Sequence, residues 1–279
     1  MSTIDAFRRC PSGRYTDGVV VVERVASGPV GRFAVDTVGG RPRLRHDLTA
    51  GEVDNDLAGL LAAVPVEPQF FERLFTGVVL TSAPDPLAGW AAFYAATLTR
   101  LTGPSPGEGS IGEFALIYRR ARALVRGRRV LDVASCFGFL PLLLHSDGLD
   151  VVASDVNSGS MALLAAVAGA RGGGPAVLTC SADALPLAAG GADTVLVVHL
   201  LEHVPAAVGT VMLAEAQRVA RQRVVVAVPY EDEPTAAYGH VRTLDAADLR
   251  ALGAASGWGY EVVEDSGGWL VLDRPPADP

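Results

Sequence analysis

The chain contains no lysine: its 23 basic residues are all arginine. A phosphate-binding loop of the Gly-Lys-Ser/Thr type and every Schiff-base mechanism are thereby excluded. Cysteine is nearly as scarce. Cys10, Cys136 and Cys180 are odd in number and keep no metal-ligand spacing, which argues against a disulfide framework or a cysteine zinc site and for a reducing, cytoplasmic setting. No apolar run approaches the ~20 residues that a membrane span needs, and the opening Met-Ser-Thr-Ile-Asp lacks the basic-then-apolar pattern of a signal peptide. Basic charge is in deficit, with a formal net charge of −8, so a nucleic-acid backbone is not the expected partner. What is present builds cores: 279 residues at 49% hydrophobic content suffice for one large domain, or a large one with a smaller companion.

The N-terminal third is mixed. Residues 18–25 and 32–38 are β-branched runs separated by Ser27-Gly28-Pro29, and they read as a β-hairpin followed by Gly39-Gly40. From Asp54 the apolar period lengthens to that of helices, through Leu57, Leu60, Leu61 and Val64, then Phe70, Phe71, Leu74, Phe75 and Val78, then Leu87, Trp90, Phe93, Tyr94 and Leu98. Such an aromatic stripe is usually core; a substrate-facing lid is the alternative. A loop at 102–110, rich in Gly and Pro, marks the boundary between an accessory α+β region at 1–105 and a second domain at 106–279. The accessory region is expected to help form the acceptor pocket.

Beyond that loop the pattern alternates. A helix at 111–126 precedes strands at 129–134, 150–154, 175–180, 192–199 and 222–228, with helices at 138–146, 159–170, 206–219 and 245–256. Strands at 260–264 and 269–273 close the chain as an antiparallel hairpin through Ser266-Gly267-Gly268. This is the grammar of an α/β fold, a doubly wound, mostly parallel seven-stranded sheet. Ligands of such sheets bind outside the carboxyl ends of the strands. Asp132, Asp155, Asp183 and the run His199-Leu-Leu-Glu202-His203 all fall there. Asp155 follows the first acid at the spacing where a carboxylate accepts both hydroxyls of a ribose, as in sites for NAD and S-adenosylmethionine alike. The turn at 134–138 carries Ala134, Cys136 and Gly138 before bulky Phe139, a poor seat for a pyrophosphate, which disfavours an NAD-dependent oxidoreductase.

Taken together, residues 111–273 resemble the class I S-adenosylmethionine-dependent methyltransferases, on the turn at 131–138, the acids at 155 and 183, the Leu-Glu-His element at 201–203 and the final hairpin. That resemblance implies S-adenosyl-L-methionine as cofactor. Asp132, Ala134 and Gly138 would surround its methionine part, with Tyr118 or Arg119 holding the carboxylate. Asp155 would bind the ribose, and Asp183 with Ala182 or Ala184 the adenine. The sequence departs from the family at the first two glycines of the turn, which are Ala134 and Cys136. A Cβ at either narrows the approach to the cofactor or rearranges the turn, and a non-catalytic protein of the same fold, binding the cofactor or a partner, is the alternative this raises. The string at 131–144, with the N-terminal extension, is also similar to the mycofactocin oligosaccharide methyltransferases, which implies O-methylation of a glucose hydroxyl. A natural-product O-methyltransferase is the other acceptor class.

His199, His203 and His240 follow the ends of the fourth and fifth strands, where the acceptor belongs. Two chemistries fit. In one, His203 is a general base oriented by Glu202, with His240 contributing from the loop Tyr238-Gly-His-Val-Arg242. In the other, His199, Glu202, His203 and His240 hold a divalent metal that lowers the pKa of a diol hydroxyl. The second resembles the Glu-x-x-Glu-His metal site of small-RNA 2′-O-methyltransferases, with His199 in place of the first Glu. Strand-capping by Glu202-His203 is the plain structural alternative. The acidic loop 229–234 and the arginines between 119 and 129 read mainly as solvated surface.

Overall fold

The computed structural model describes residues 4–26, 32–104, 107–235 and 239–276. The chain divides into two units, Met1–Ala115 and Leu116–Pro279. The first contains β1 (Arg14–Thr16), β2 (Val21–Arg24), β3 (Phe33–Val38) and β4 (Arg41–His46), then α1 (Leu57–Ala62), α2 (Phe71–Ser82) and α3 (Pro86–Thr102). The division falls within α4 (Gly109–Leu124).

The hairpin expected of 18–25 and 32–38 does not form. The sheet order is β1-β2-β4-β3, so β4 lies between the two runs, antiparallel to β3 and parallel to β2. Gly39 and Gly40 both adopt positive φ (55° and 74°), the demand of a tight two-residue turn whose twist matches the strands it joins. That turn pairs β3 with β4, its immediate successor in the chain. Arg41-Pro-Arg-Leu-Arg-His hides a strand beneath its charge: Leu44 and His46 are buried, while Arg43 forks onto Asp36 across the pair. The turn Ser27-Gly28-Pro29 lies outside the described residues. The aromatic stripe is core, as its period suggests. Trp90, Phe93 and Tyr94 are buried, Trp90 and Phe93 meet edge-to-face at 5.5 Å, and the Trp90 indole N–H donates to the Ala6 carbonyl at 2.7 Å.

The second unit agrees closely with the sequence reading. Its elements are β5 (Arg129–Val133), α5 (Phe139–Ser146), β6 (Asp150–Asp155), α6 (Ser158–Ala170), β7 (Ala176–Thr179), β8 (Ala192–Val198), α7 (Ala206–Val219), β9 (Ala220–Val228), α8 (Ala246–Ala255), β10 (Gly259–Glu264) and β11 (Gly268–Asp273). They form one seven-stranded sheet, β10-β11-β9-β8-β5-β6-β7. All pairings are parallel except those of β11, which runs antiparallel to both β9 and β10. The central strands are buried on both faces along most of their length; Val195, Val197, Val224, Val226, Leu270 and Leu272 form the middle of the core. The strand order reverses between β5 and β8, so the chain leaves those two neighbours towards opposite flanks of the sheet. Ligands settle at such a switch point. No described helix is long and apolar enough to cross a membrane.

Candidate active site

The turn after β5 holds the conformation that glycines usually supply. Ala134, Cys136 and Gly138 have φ of 59°, 51° and 75°. Each is left-handed, which costs a residue with a Cβ roughly 1–2 kcal/mol. The turn thus holds its two non-glycine residues in left-handed conformations, under strain. Gly138 has no such latitude, since a Cβ there would lie 2.4 Å from Leu164 Cδ2. Hydrogen bonds set the path: Ser135 N–H donates to Ser154 O at 2.9 Å and Gly138 N–H to Ser135 O at 2.7 Å. Relieving the strain should show in stability. Ala134→Gly and Cys136→Gly are each expected to stabilise the protein by about 0.5–1 kcal/mol, the left-handed penalty less the extra freedom glycine has when unfolded. Thermal melts would register this, and a fall in Tm for both would contradict the strain.

Asp155 closes the turn from the end of β6. Its Oδ2 accepts from the Cys136 N–H at 2.9 Å and its Oδ1 from the Asn157 N–H at 2.8 Å. A carboxylate has about four acceptor sites, so two remain for a ligand's hydroxyls. Asp132 ends β5 only 3% exposed. Burial pushes its pKa up to about 7, against a favourable Ser135 contact, and the charge of Asp155 adds to the rise. Tyr118, on α4, lies close enough that Asp132 and Cys136 reinforce the upward push of burial on its phenol. Arg119 is exposed; Arg122 pairs with Asp147, and Arg120 pairs with Asp265 while lying over the Trp269 ring. Asp183 and Ala184 come after β7 in an exposed turn, closed by the Ala184 N–H on Ser181 O at 3.2 Å.

Asp132 carries a pH signature. The folded protein retains this proton to about pH 7, whereas an unfolded aspartate releases it near about 3.9. Between those values the folded state binds more protons, so stability declines as pH rises through the interval and levels off above it. Asp132→Asn removes the decline. The gain in Tm of the variant over the parent should grow from pH 4 to 7 and then stay constant; a pH-independent difference would mean that Asp132 is ionised throughout.

Beside β5, β8 is followed by a further strained residue, His199, at φ 52°. The chain leaves the sheet there and makes a 3-10 turn, Leu201–His203. Val133 of β5 lies opposite Val197 of β8, so the turn at 134–138 and the segment 199–203 emerge from adjacent strands at the same sheet edge. Glu202, 1% exposed, has both carboxylate oxygens buried without a hydrogen-bond partner. His199 Nδ1 stands 3.6 Å from Glu202 Oε1, too far for a hydrogen bond. Burial raises the Glu202 pKa to about 7 and lowers that of His199 to about 4; His203 is lowered too, by burial and then by His240.

His240 arrives from the loop after β9. Its ring meets His203 edge-to-face at 4.8 Å, and one ligating atom from each of Glu202, His203 and His240 lies within 4.8 Å of the other two. His199 falls outside that trio. Three residues that the sequence did not single out complete the arrangement. Glu231 Oε2 is 2.7 Å from His240 Nδ1, and Thr235 Oγ1 donates to Glu231 Oε1 at 2.7 Å. Arg242 Nε donates to Leu201 O at 2.9 Å. Glu231 belongs to the acidic loop read as surface; nothing in its spacing marks it, because the contact depends on how the loop returns. Tyr238 lies outside the described residues.

Residues 131–228 match the family described as a methyltransferase domain, and no curated protein matches the chain. The chain is similar in structure to an O-methyltransferase family protein from Burkholderia thailandensis, at 12% identity and a TM-score of 0.51 over 68% of this chain and 61% of that one. It is also similar to the PH0226 protein of Pyrococcus horikoshii OT3, at 13% identity and 0.50 over 61% and 93%. A third similar structure is the magnesium protoporphyrin IX methyltransferase of Synechocystis PCC 6803 with bound S-adenosylmethionine, at 19% identity and 0.47 over 64% and 90%. The seven-stranded sheet is the Rossmann-like fold of the class I methyltransferases.

Proposed function

We propose, from the methyltransferase domain that residues 131–228 carry, that the chain is an S-adenosylmethionine-dependent O-methyltransferase acting on a glycan hydroxyl. In this reading Asp155 accepts the ribose hydroxyls, and Asp183 beside Ala184 takes the adenine amine. Asp132, Ala134 and Gly138 border the methionine part, with Tyr118 or Arg119 at its carboxylate. The acceptor oxygen attacks the methyl carbon in line with the carbon–sulfur bond. A C–O bond forms as the C–S bond breaks, its electron pair passes to sulfur to give S-adenosylhomocysteine, and the hydroxyl proton leaves towards Glu202, His203 and His240.

The observation that carries the reading is the convergence of this trio, Glu202 and His203 from beyond the end of β8, next to the turn after β5, and His240 from the loop after β9. A hydroxyl is far too weak an acid to react unaided at neutral pH, and deprotonating groups at the switch point meet that need. The mycofactocin oligosaccharide is the acceptor to test first. Methyl-labelled donor, the protein and that glycan should yield label in an O-methyl sugar by mass spectrometry. Label on nitrogen or carbon, or no donor binding at millimolar concentration, would defeat the reading.

A further inference from the structure

We infer that Glu202, His203 and His240 bind one divalent transition-metal ion of the zinc, manganese or iron(II) class. Three observations converge on it. The ligating atoms already lie within 4.8 Å of one another; an ion ~2.0–2.2 Å from each would draw them to roughly 3.3–3.5 Å, a side-chain adjustment. Both oxygens of the Glu202 carboxylate are buried and meet no donor, a costly state for an anion unless a cation accompanies it. Finally, Glu231 grips Nδ1 of His240 and is itself fixed by Thr235. That is how ligating histidines are held: a carboxylate on one ring nitrogen fixes the tautomer and makes the other, here Nε2, the ligand.

The two arms of the site are already joined. The Val241 N–H donates to Glu202 O at 2.9 Å, and Arg242 spans to Leu201 O. An ion would therefore enter a frame whose backbone is largely set. Two imidazoles and one carboxylate favour borderline transition metals over magnesium or calcium, and three protein ligands leave coordination positions open. When bound there, such an ion lowers the pKa of a hydroxyl that reaches an open position. That role rests on the O-methyl-transfer reading; the ion site does not.

The test is read without donor or acceptor. Full-length protein, stripped with a chelator and dialysed, is titrated calorimetrically with Zn²⁺ and, separately, with Mn²⁺ followed by electron paramagnetic resonance. One equivalent of at least one ion should bind. Glu202→Gln and His240→Ala should abolish stoichiometric binding, and Glu231→Gln should weaken it by about 10–100-fold. Circular dichroism confirms that the variants fold, and Glu231→Gln keeps the test open if the buried Glu202→Gln does not. No binding of either ion, or binding unchanged in the Glu231 and His240 variants, overturns the inference. Stoichiometric binding without methyl transfer leaves the ion site standing and defeats the proposed activity; undiminished methyl transfer by stripped protein that binds no ion does the reverse.

Discussion

Replacing His203 or His240 with alanine is expected to lower kcat for methyl transfer by about 10²–10⁴-fold while leaving the donor's Kd within about twofold. The split comes from geometry. The donor groups proposed above lie on α4 and at the ends of β5, β6 and β7, whereas both histidines lie in the segments after β8 and β9. Their rings touch, so they act as one unit, and the double variant should be little worse than either single one, since groups that act together are not additive. Glu231→Gln should mirror the His240 variant at smaller amplitude, because it acts only by holding that ring. Single-turnover rates with labelled donor, together with calorimetric donor binding, would separate these effects. Undiminished turnover in both histidine variants would remove the trio from the chemistry.

The second large effect concerns Asp155. Asp155→Ala is expected to weaken S-adenosylmethionine binding by about 10–150-fold, corresponding to the ~1.5–3 kcal/mol that hydrogen bonds to a charged group contribute. Part of this would come from the turn, since the Cys136 N–H loses its acceptor. Asp155→Asn separates the two roles. It keeps an oxygen for Cys136 but surrenders the charge, so any affinity it recovers over alanine measures the turn and the remainder measures the ribose. Equal donor affinity in parent and Asp155→Ala would mean that this carboxylate only braces the turn.

Much of the second unit was legible because each signal there is local and repeated. Apolar runs such as those at 195–198 and 224–228 have few alternatives to buried parallel strands, and α7 spans the expected 206–219. The strand-end acids could be placed because alternation of strand and helix puts every strand's carboxyl end on one edge. The first unit was harder. β4 went unread, since Arg43 and Arg45 are satisfied by Asp36 on the neighbouring strand and not by burial, and pairing partners depend on a turn two residues long. Glu231 was invisible for a related reason: its contact with His240 spans nine residues of loop. The left-handed backbone at Ala134, Cys136 and His199 could not be read from residue type either, since each departs from its type's preference.

The switch point between β5 and β8 has a consequence for how the molecule assembles. Val130 pairs with Val151, twenty-one positions on, but also with Thr194, sixty-four positions on. Loop closure makes the longer pairing costlier by about 1 kcal/mol. β8 in turn finds β9 nearby, Thr194 opposite Arg223. Two pieces, residues 129–179 and 192–228, each pair strands that are near in sequence, so the β5–β8 seam is expected to join last. Pulse-labelled exchange during refolding should protect amides within each piece before those across the seam. Asp155 and its turn lie on one piece and His203 on the other, with His240 arriving from the loop beyond β9. On the function proposed above, a chain opened along that seam would keep the Asp155 side of the donor site and lose its chemistry.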